Sequence, residues 1–201
     1  MAFPGFFSEV RPIMMHDRLA EFLGAAENGI IEYRYADAVR LAGHSCPTVA
    51  GAYLLTSRAL AALYPGELPE RGELRVSFTA AQEQGVTGVL ASVVGLITGA
   101  AGIGGFKGIG GNFARRHLLA FDEPGKGGEI CFTRLDTGSC RTASLHLENV
   151  APAPETGALL QRLLAGERDP AVARTFAALW QDRVRRILID HFDDPELVSL
   201  S

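Results

Sequence analysis

The sequence predicts an α+β fold: a mixed or antiparallel sheet packed with helices, followed by C-terminal helices. Three observations predict it. Segments of helical periodicity come early and late, over 47–63, 86–97 and 169–192. Between them lie short stretches in which apolar and polar residues alternate, the period of a half-buried strand. The last of these stretches follow one another around a hairpin signal, instead of each being followed by a helix as a βαβ series requires.

Each element has a local reason. Asp17 to Leu23 reads as a short helix, and "YRYADAVRLAG" from Tyr33 as a second that ends at Gly43. Pro47 suits the first position of the next helix, where Val49, Tyr53, Thr56, Leu60 and Leu63 recur at helical spacing. "YPGELPERG" stops that helix and turns the chain. In "ELRVSFTA", Leu74, Val76 and Phe78 alternate with polar neighbours, giving a strand with one buried face. Val86, Val89, Leu90, Val93, Val94 and Ile97 then share one helical stripe. Gly88, Ser92 and Gly95 line the other side, for close packing or as exposed backbone. The glycine-rich loop "AAGIGGFKGIGG" leads to three expected strands, "NFARRHLLAF", "GEICFTRL" and "SCRTASLHLE", the last two joined around "DTG". "NVAPAPE" is a linker, and helices over 156–166 and 169–192 follow, the second opened by Asp169 or Pro170. The expected division is a core domain over 1–150 and a helical extension over 151–201 packed on it.

Composition narrows the function. With 201 residues, 47% hydrophobic and 21% charged, the chain can bury a sizeable core as one domain. A net charge of −4 argues against a nucleic-acid surface. Three cysteines cannot all pair, and no secreted disulfide framework is visible. "MAFPGFFSEVRPIMMHDRLAEFLG" lacks the features of a signal peptide, so a cytoplasmic location with reduced thiols is expected. The uncharged run over 86–106 is long enough to cross a bilayer, but glycine dominates its second half and no basic flank marks its ends. A half-length core helix and a loop are expected there, and no membrane partner.

"LAGHSCPTVAGAY" carries the chemistry that stands out. Pro47 disfavours helical dihedrals at the residue before it, so Cys46 is expected to be extended at the helix N-cap. Side chains two apart on extended chain point the same way, which would aim His44 and Cys46 together. The free N–H groups and positive dipole end there suit a negatively charged sulfur. Imidazole and thiolate are donors for Zn²⁺ or Fe²⁺; alternatively they form an activated nucleophile with its base. A third reading is a buried cysteine acting as a small hydrophobe beside a histidine that caps a turn.

"GHSCPTVAGAY" resembles the G-H-x-C-P-G-x-x-x-G-Y signature of the FmdE family of formylmethanofuran dehydrogenase proteins. "LITGAAGIGGFKGIGGNF" is similar to that family's T-G-C-T-F-G-K-G-N-L segment, with an insertion, and "EPGKGGEICFTRLDTG" to its D-x-G-K…F…R-x-T-G hairpin. The resemblance covers roughly Asp37 to Leu147. It implies an α+β core, usually homodimeric, in which His44 and Cys46 contribute to a metal-binding cleft, commonly of zinc. The family is named for an operon encoding an enzyme that reduces carbon dioxide to formylmethanofuran, and many members occur without that pathway. This chain also departs from the pattern. Ala42 and Ala100 stand where the family often has histidine and cysteine, "GVTGVLAS" replaces an acidic and cysteine cluster, and the C-terminal segment has no cysteine-rich finger.

Further ligands would have to come from His16, Cys140 or His146, or from His117, His191, Cys131, carboxylates or water. Cys140, Thr142, Ser144 and His146 alternate onto one strand face, which could equally be an exposed polar surface. The glycine-rich loop offers backbone N–H groups with Lys107, Gly108, Arg115 and Arg116 as a cradle for an anionic or cofactor-like ligand, and Asn112 carries over from the family's G-N pair. It matches neither nucleotide-binding glycine motif. The expected function is an accessory protein that binds zinc or another divalent transition metal, with a small ligand or a redox-enzyme partner in a cleft at the His-x-Cys motif. The alternative is a metalloenzyme or a Cys46/His44 enzyme acting on a small carbonyl or one-carbon substrate. A homodimer, through the small-residue helix face, is compatible with either.

Overall fold

The computed structural model describes residues 3–124 and 127–201, and the chain adopts the predicted α+β class. Gly125 and Lys126, part of the hairpin motif matched above, and Met1 and Ala2 of the N-terminal stretch lie outside the described residues.

A strand pair comes first. β1 (Ile13–His16) and β2 (Ile30–Tyr33) pair antiparallel, Ile13 opposite Tyr33 and His16 opposite Ile30. Between them, α1 (Arg18–Phe22) starts where the Asp17 carboxylate accepts the N–H groups of Leu19 and Ala20. α2 (Tyr35–Ala42) ends at Gly43, whose φ of 76° is left-handed, as a helix C-terminus favours. The helix expected from Tyr33 therefore begins later, because Tyr33 is spent in β2.

α3 (Pro47–Leu63) is the central element, with Pro47 in its first turn and Cys46 at its N-cap. Tyr53, Leu54, Leu55 and Leu60 are all within 1% of full burial, on more than one side of the helix. Such a helix is enclosed rather than amphipathic. It packs on α4 (Thr87–Thr98) and on two strands of the second sheet.

That sheet comprises β3 (Leu74–Phe78), β4 (Leu119–Ala120), β5 (Ile130–Arg134), β6 (Cys140–Leu145) and β7 (Val198–Leu200). Its order is β4-β3-β5-β6-β7, parallel between β3 and β4 and antiparallel elsewhere. Leu74, Val76, Phe78, Ile130 and Phe132 form the face buried in the core. Register puts Arg75 opposite Thr133, Ser77 opposite Cys131 and Cys131 opposite Thr142 on the other face.

Several boundaries differ from the sequence reading. The strand expected over 112–121 shrinks to Leu119–Ala120, because Phe113 and His117 hold φ values of 64° and 62° that break extended chain. β6 stops at Leu145 and a 3₁₀ turn follows at Leu147–Asn149. Val86 lies just before α4 and is exposed, so it does not belong to the buried stripe. α5 (Thr156–Leu164) and α6 (Pro170–Arg185) occupy the C-terminal segment, with Asp169 capping α6 and a π-helical turn over Arg186–Asp190 in place of its expected last turns. Val184, Ile187, Leu188, Leu197 and Val198 join the main core, and β7 extends the sheet. The segment over 151–201 thus supplies a strand as well as helices. Among the described residues, no helix is long and apolar enough to cross a membrane.

Candidate functional site

The His-Ser-Cys motif is the joint between α2 and α3, and α6 holds it from outside. Ser45 Oγ donates to Gln181 Oε1 and accepts from the Tyr35 hydroxyl, each at 2.9 Å. The Ser45 carbonyl accepts from Trp180 Nε1 at 3.0 Å and Gln181 Nε2 at 3.2 Å. Burial pushes the Tyr35 phenol well above its ordinary pKa, with the Ser45 hydrogen bond opposing, so Tyr35 is a neutral donor here. Four hydrogen bonds on the residue between His44 and Cys46 fix the backbone of both.

The two side chains occupy different settings. Cys46 is extended (φ −147°, ψ 167°), as expected before Pro47, and its Sγ accepts the Val49 N–H at 3.5 Å. The sulfur is part-buried and packs against the main core. His44 is exposed, with Nδ1 3.0 Å from the Ala42 carbonyl oxygen. A carbonyl only accepts, so Nδ1 carries the proton, and in the neutral ring Nε2 keeps its lone pair for a metal, a proton or a ligand.

His44 lines a groove of about 470 Å³ between the α2–α3 joint and α4, together with Leu41, Glu83, Gly88, Ser92 and Val93. The small-residue side of α4 is therefore a groove wall: with no bulk at Gly88 and Ser92, the space beside His44 stays open. Glu83, at the turn before α4, brings a carboxylate to the same groove. No protein-family model matches this chain, and no curated protein matches it. The site therefore rests on its own geometry.

The other expected residues lie elsewhere. Lys107 is exposed. Gly108 and Asn112 belong to one tight turn, where the Ile109 and Asn112 N–H groups each donate to the other's carbonyl at 2.9 Å. The Asn112 side chain donates to the Gly110 carbonyl at 3.3 Å, closing that turn. Cys140 opens β6 and His146 lies just past its end, six residues or about 20 Å apart along extended chain, too far to share an ion. His146 Nε2 is 3.1 Å from Ser199 Oγ. His191 Nδ1 is 2.8 Å from Asp194 Oδ2, and Cys131 is buried.

His16 is held between two carboxylates, Nδ1 2.8 Å from Glu70 Oε1 and Nε2 3.1 Å from Glu21 Oε2. The Glu70 hydrogen bond raises its pKa above the ordinary value, against desolvation, and Glu21 adds to the rise. Both nitrogens are engaged, which makes it an ion-pair residue rather than a ligand. Next to it, Asp17 is buried between Arg71 and Arg115. This cluster was not visible in the sequence, where its members lie up to 98 residues apart.

The donor set sets a limit on any metal. Among the described residues, no group of three or more His, Cys, Asp and Glu side chains is placed to hold an ion. His44 and Cys46 are donors of the right chemical type, but the described residues supply no closed shell of four protein ligands.

Proposed function

We propose that this protein is an accessory binding protein of the FmdE type, taking a small ligand in the groove beside His44. The observation that carries the reading is the His44 imidazole, locked by the Ala42 carbonyl with Nε2 available at an open groove. His44 and Cys46 are the side chains that would hold zinc or Fe²⁺. The remaining positions of such an ion would belong to water or to the bound molecule, so the chain would act as a receiving site instead of a structural zinc fold. The proposal includes a homodimer or a redox-enzyme partner, for which exposed Phe22, Leu23, Ile103 and Phe106 supply apolar surface. Zinc and iron content of the purified full chain tests the metal. Stoichiometric metal that falls in both His44→Ala and Cys46→Ala supports it, and metal content unchanged by either substitution overturns it.

A second reading is favoured by the hydrogen bond from the Val49 N–H to Cys46 Sγ. In it Cys46 is a nucleophile, His44 its base, and the substrate a small carbonyl compound. Rapid alkylation of Cys46 that slows in His44→Ala supports this reading. Slow alkylation with stoichiometric metal removes it.

A further inference from the structure

The sheet face turned away from α3 holds a cavity of about 480 Å³. Strand register builds its floor. Arg75 and Ser77 are two apart on β3, and Thr133 lies directly opposite Arg75 on β5, so all three side chains leave one face. Its rim is β4 itself and the segments around it, with His117 before the strand, Leu119 and Ala120 in it, and Glu123 and Pro124 after it. His117 and Asp122, which flank β4, have left-handed backbone at φ 62° and 57°. Non-glycine residues pay for that conformation and keep it only where their surroundings impose it. Here the His117 N–H donates to the Gly102 carbonyl at 3.2 Å and the Glu123 N–H to the Phe78 carbonyl at 3.1 Å. The rim is thus pinned to the sheet and to the glycine-rich loop.

The polar ends in this cavity have no internal use. Among the described residues, Arg75, Ser77, His117 and Glu123 make no side-chain hydrogen bond or ion pair, and Thr133 Oγ1 meets only Cys131 Sγ at 3.6 Å. By contrast Arg71, Arg115 and Arg134 are all ion-paired. A guanidinium flanked by two hydroxyls on a strand floor is a donor set for an oxyanion, and arginine's planar fork suits carboxylate and phosphate oxygens.

We propose that this cavity binds a small organic anion, its carboxylate or phosphate group held by Arg75, Ser77 and Thr133. Glu123 on the opposite rim favours ligands that carry a hydrogen-bond donor at their other end. The floor is rigid sheet, so little ordering accompanies binding. Calorimetric titration of the full chain with inorganic phosphate, and separately with malonate, tests the proposal and tells the two headgroups apart. Saturable one-to-one binding of either probe is expected, weakened about tenfold or more by Arg75→Gln through loss of a charge-assisted contact. Ser77→Ala, which keeps the charge, is expected to weaken it less. Circular dichroism of both variants should match the wild type. Absence of saturable binding in the wild type, or affinity unchanged in Arg75→Gln, overturns the proposal. So does binding lost in Lys107→Gln instead, which would put the anion on the glycine-rich loop.

Discussion

Arg115 Nη2 donates to Asp17 Oδ1 at 2.7 Å, with the two side chains only 8% and 4% exposed. The other oxygen of Asp17 accepts from Arg71 Nη1 at 2.9 Å. One carboxylate therefore ties the start of α1, the turn before β3 and the end of the glycine-rich loop. The surplus positive charge is met by the C-terminal end of α4, where Arg71 Nη2 donates to the Leu96 carbonyl at 3.0 Å.

Removing that carboxylate leaves the buried Arg115 guanidinium facing the half-buried one of Arg71. Asp17→Ala is expected to cost about 3–5 kcal/mol, the range for breaking a buried pair from one side. Urea unfolding measures it. A loss below about 1 kcal/mol, the size of a surface ion pair, would mean that water already reaches the cluster.

Gly72 gives the cluster room. Its φ is +83°, and a Cβ there would lie 1.2 Å from Arg115 Nη1. Gly72→Ala thus combines left-handed strain of about 1–2 kcal/mol with displacement of Arg115 from Asp17. In an Arg115→Ala background the displacement has nothing left to break, and the cost should fall towards the strain alone. A double-mutant cycle by urea unfolding reads this coupling. Additive costs would place Arg115 outside the effect.

His16 makes stability depend on pH in a defined direction. The Glu70 hydrogen bond raises its folded pKa above the ordinary value of 6.5. The charged imidazole therefore contributes stability that is complete below 6.5 and is lost as pH rises through the higher folded value. Melting temperature should fall between about pH 6 and pH 8, and His16→Gln should flatten that fall. A wild type whose melting temperature rises over this window would reverse the sign.

The starts of α3 and α6 were legible because each has a local cause. Pro47 behind an extended Cys46, and Pro170 behind Asp169, mark their helices by proline geometry and side-chain capping. β3 was legible because Leu74, Val76 and Phe78 alternate. β1, β2 and β7 were not: they are only three or four residues long, and β1 and β2 pair across an intervening helix. For the site, local sequence placed Cys46 at the helix mouth and set the small residues of α4 apart, but it could not show that they face His44 across a groove. That depends on how α2 packs against α4. The anchor at Ser45 had a partial signal, since alternation points it away from its two neighbours. Its partners Trp180 and Gln181 come from a helix 135 residues further on, beyond any local rule.

Cys46 caps α3, and one substitution can separate that cap from the donor or nucleophile role proposed for its sulfur. Its sulfur caps α3 by accepting the Val49 N–H at 3.5 Å, a task that serine performs at least as well. Cys46→Ala should therefore lose about 0.5–1 kcal/mol, the low end of the capping range, because a thiol is a weak acceptor. Cys46→Ser should keep wild-type stability to within about 0.5 kcal/mol, measured by urea unfolding. Only the soft donor is gone in the serine variant, so if the sulfur has the proposed role, zinc content and alkylation should fall there as far as in the alanine variant. If Cys46→Ser retained wild-type zinc while Cys46→Ala lost it, the metal would depend on the cap and not on the sulfur. His44 would then be left as the only reactive side chain of the motif.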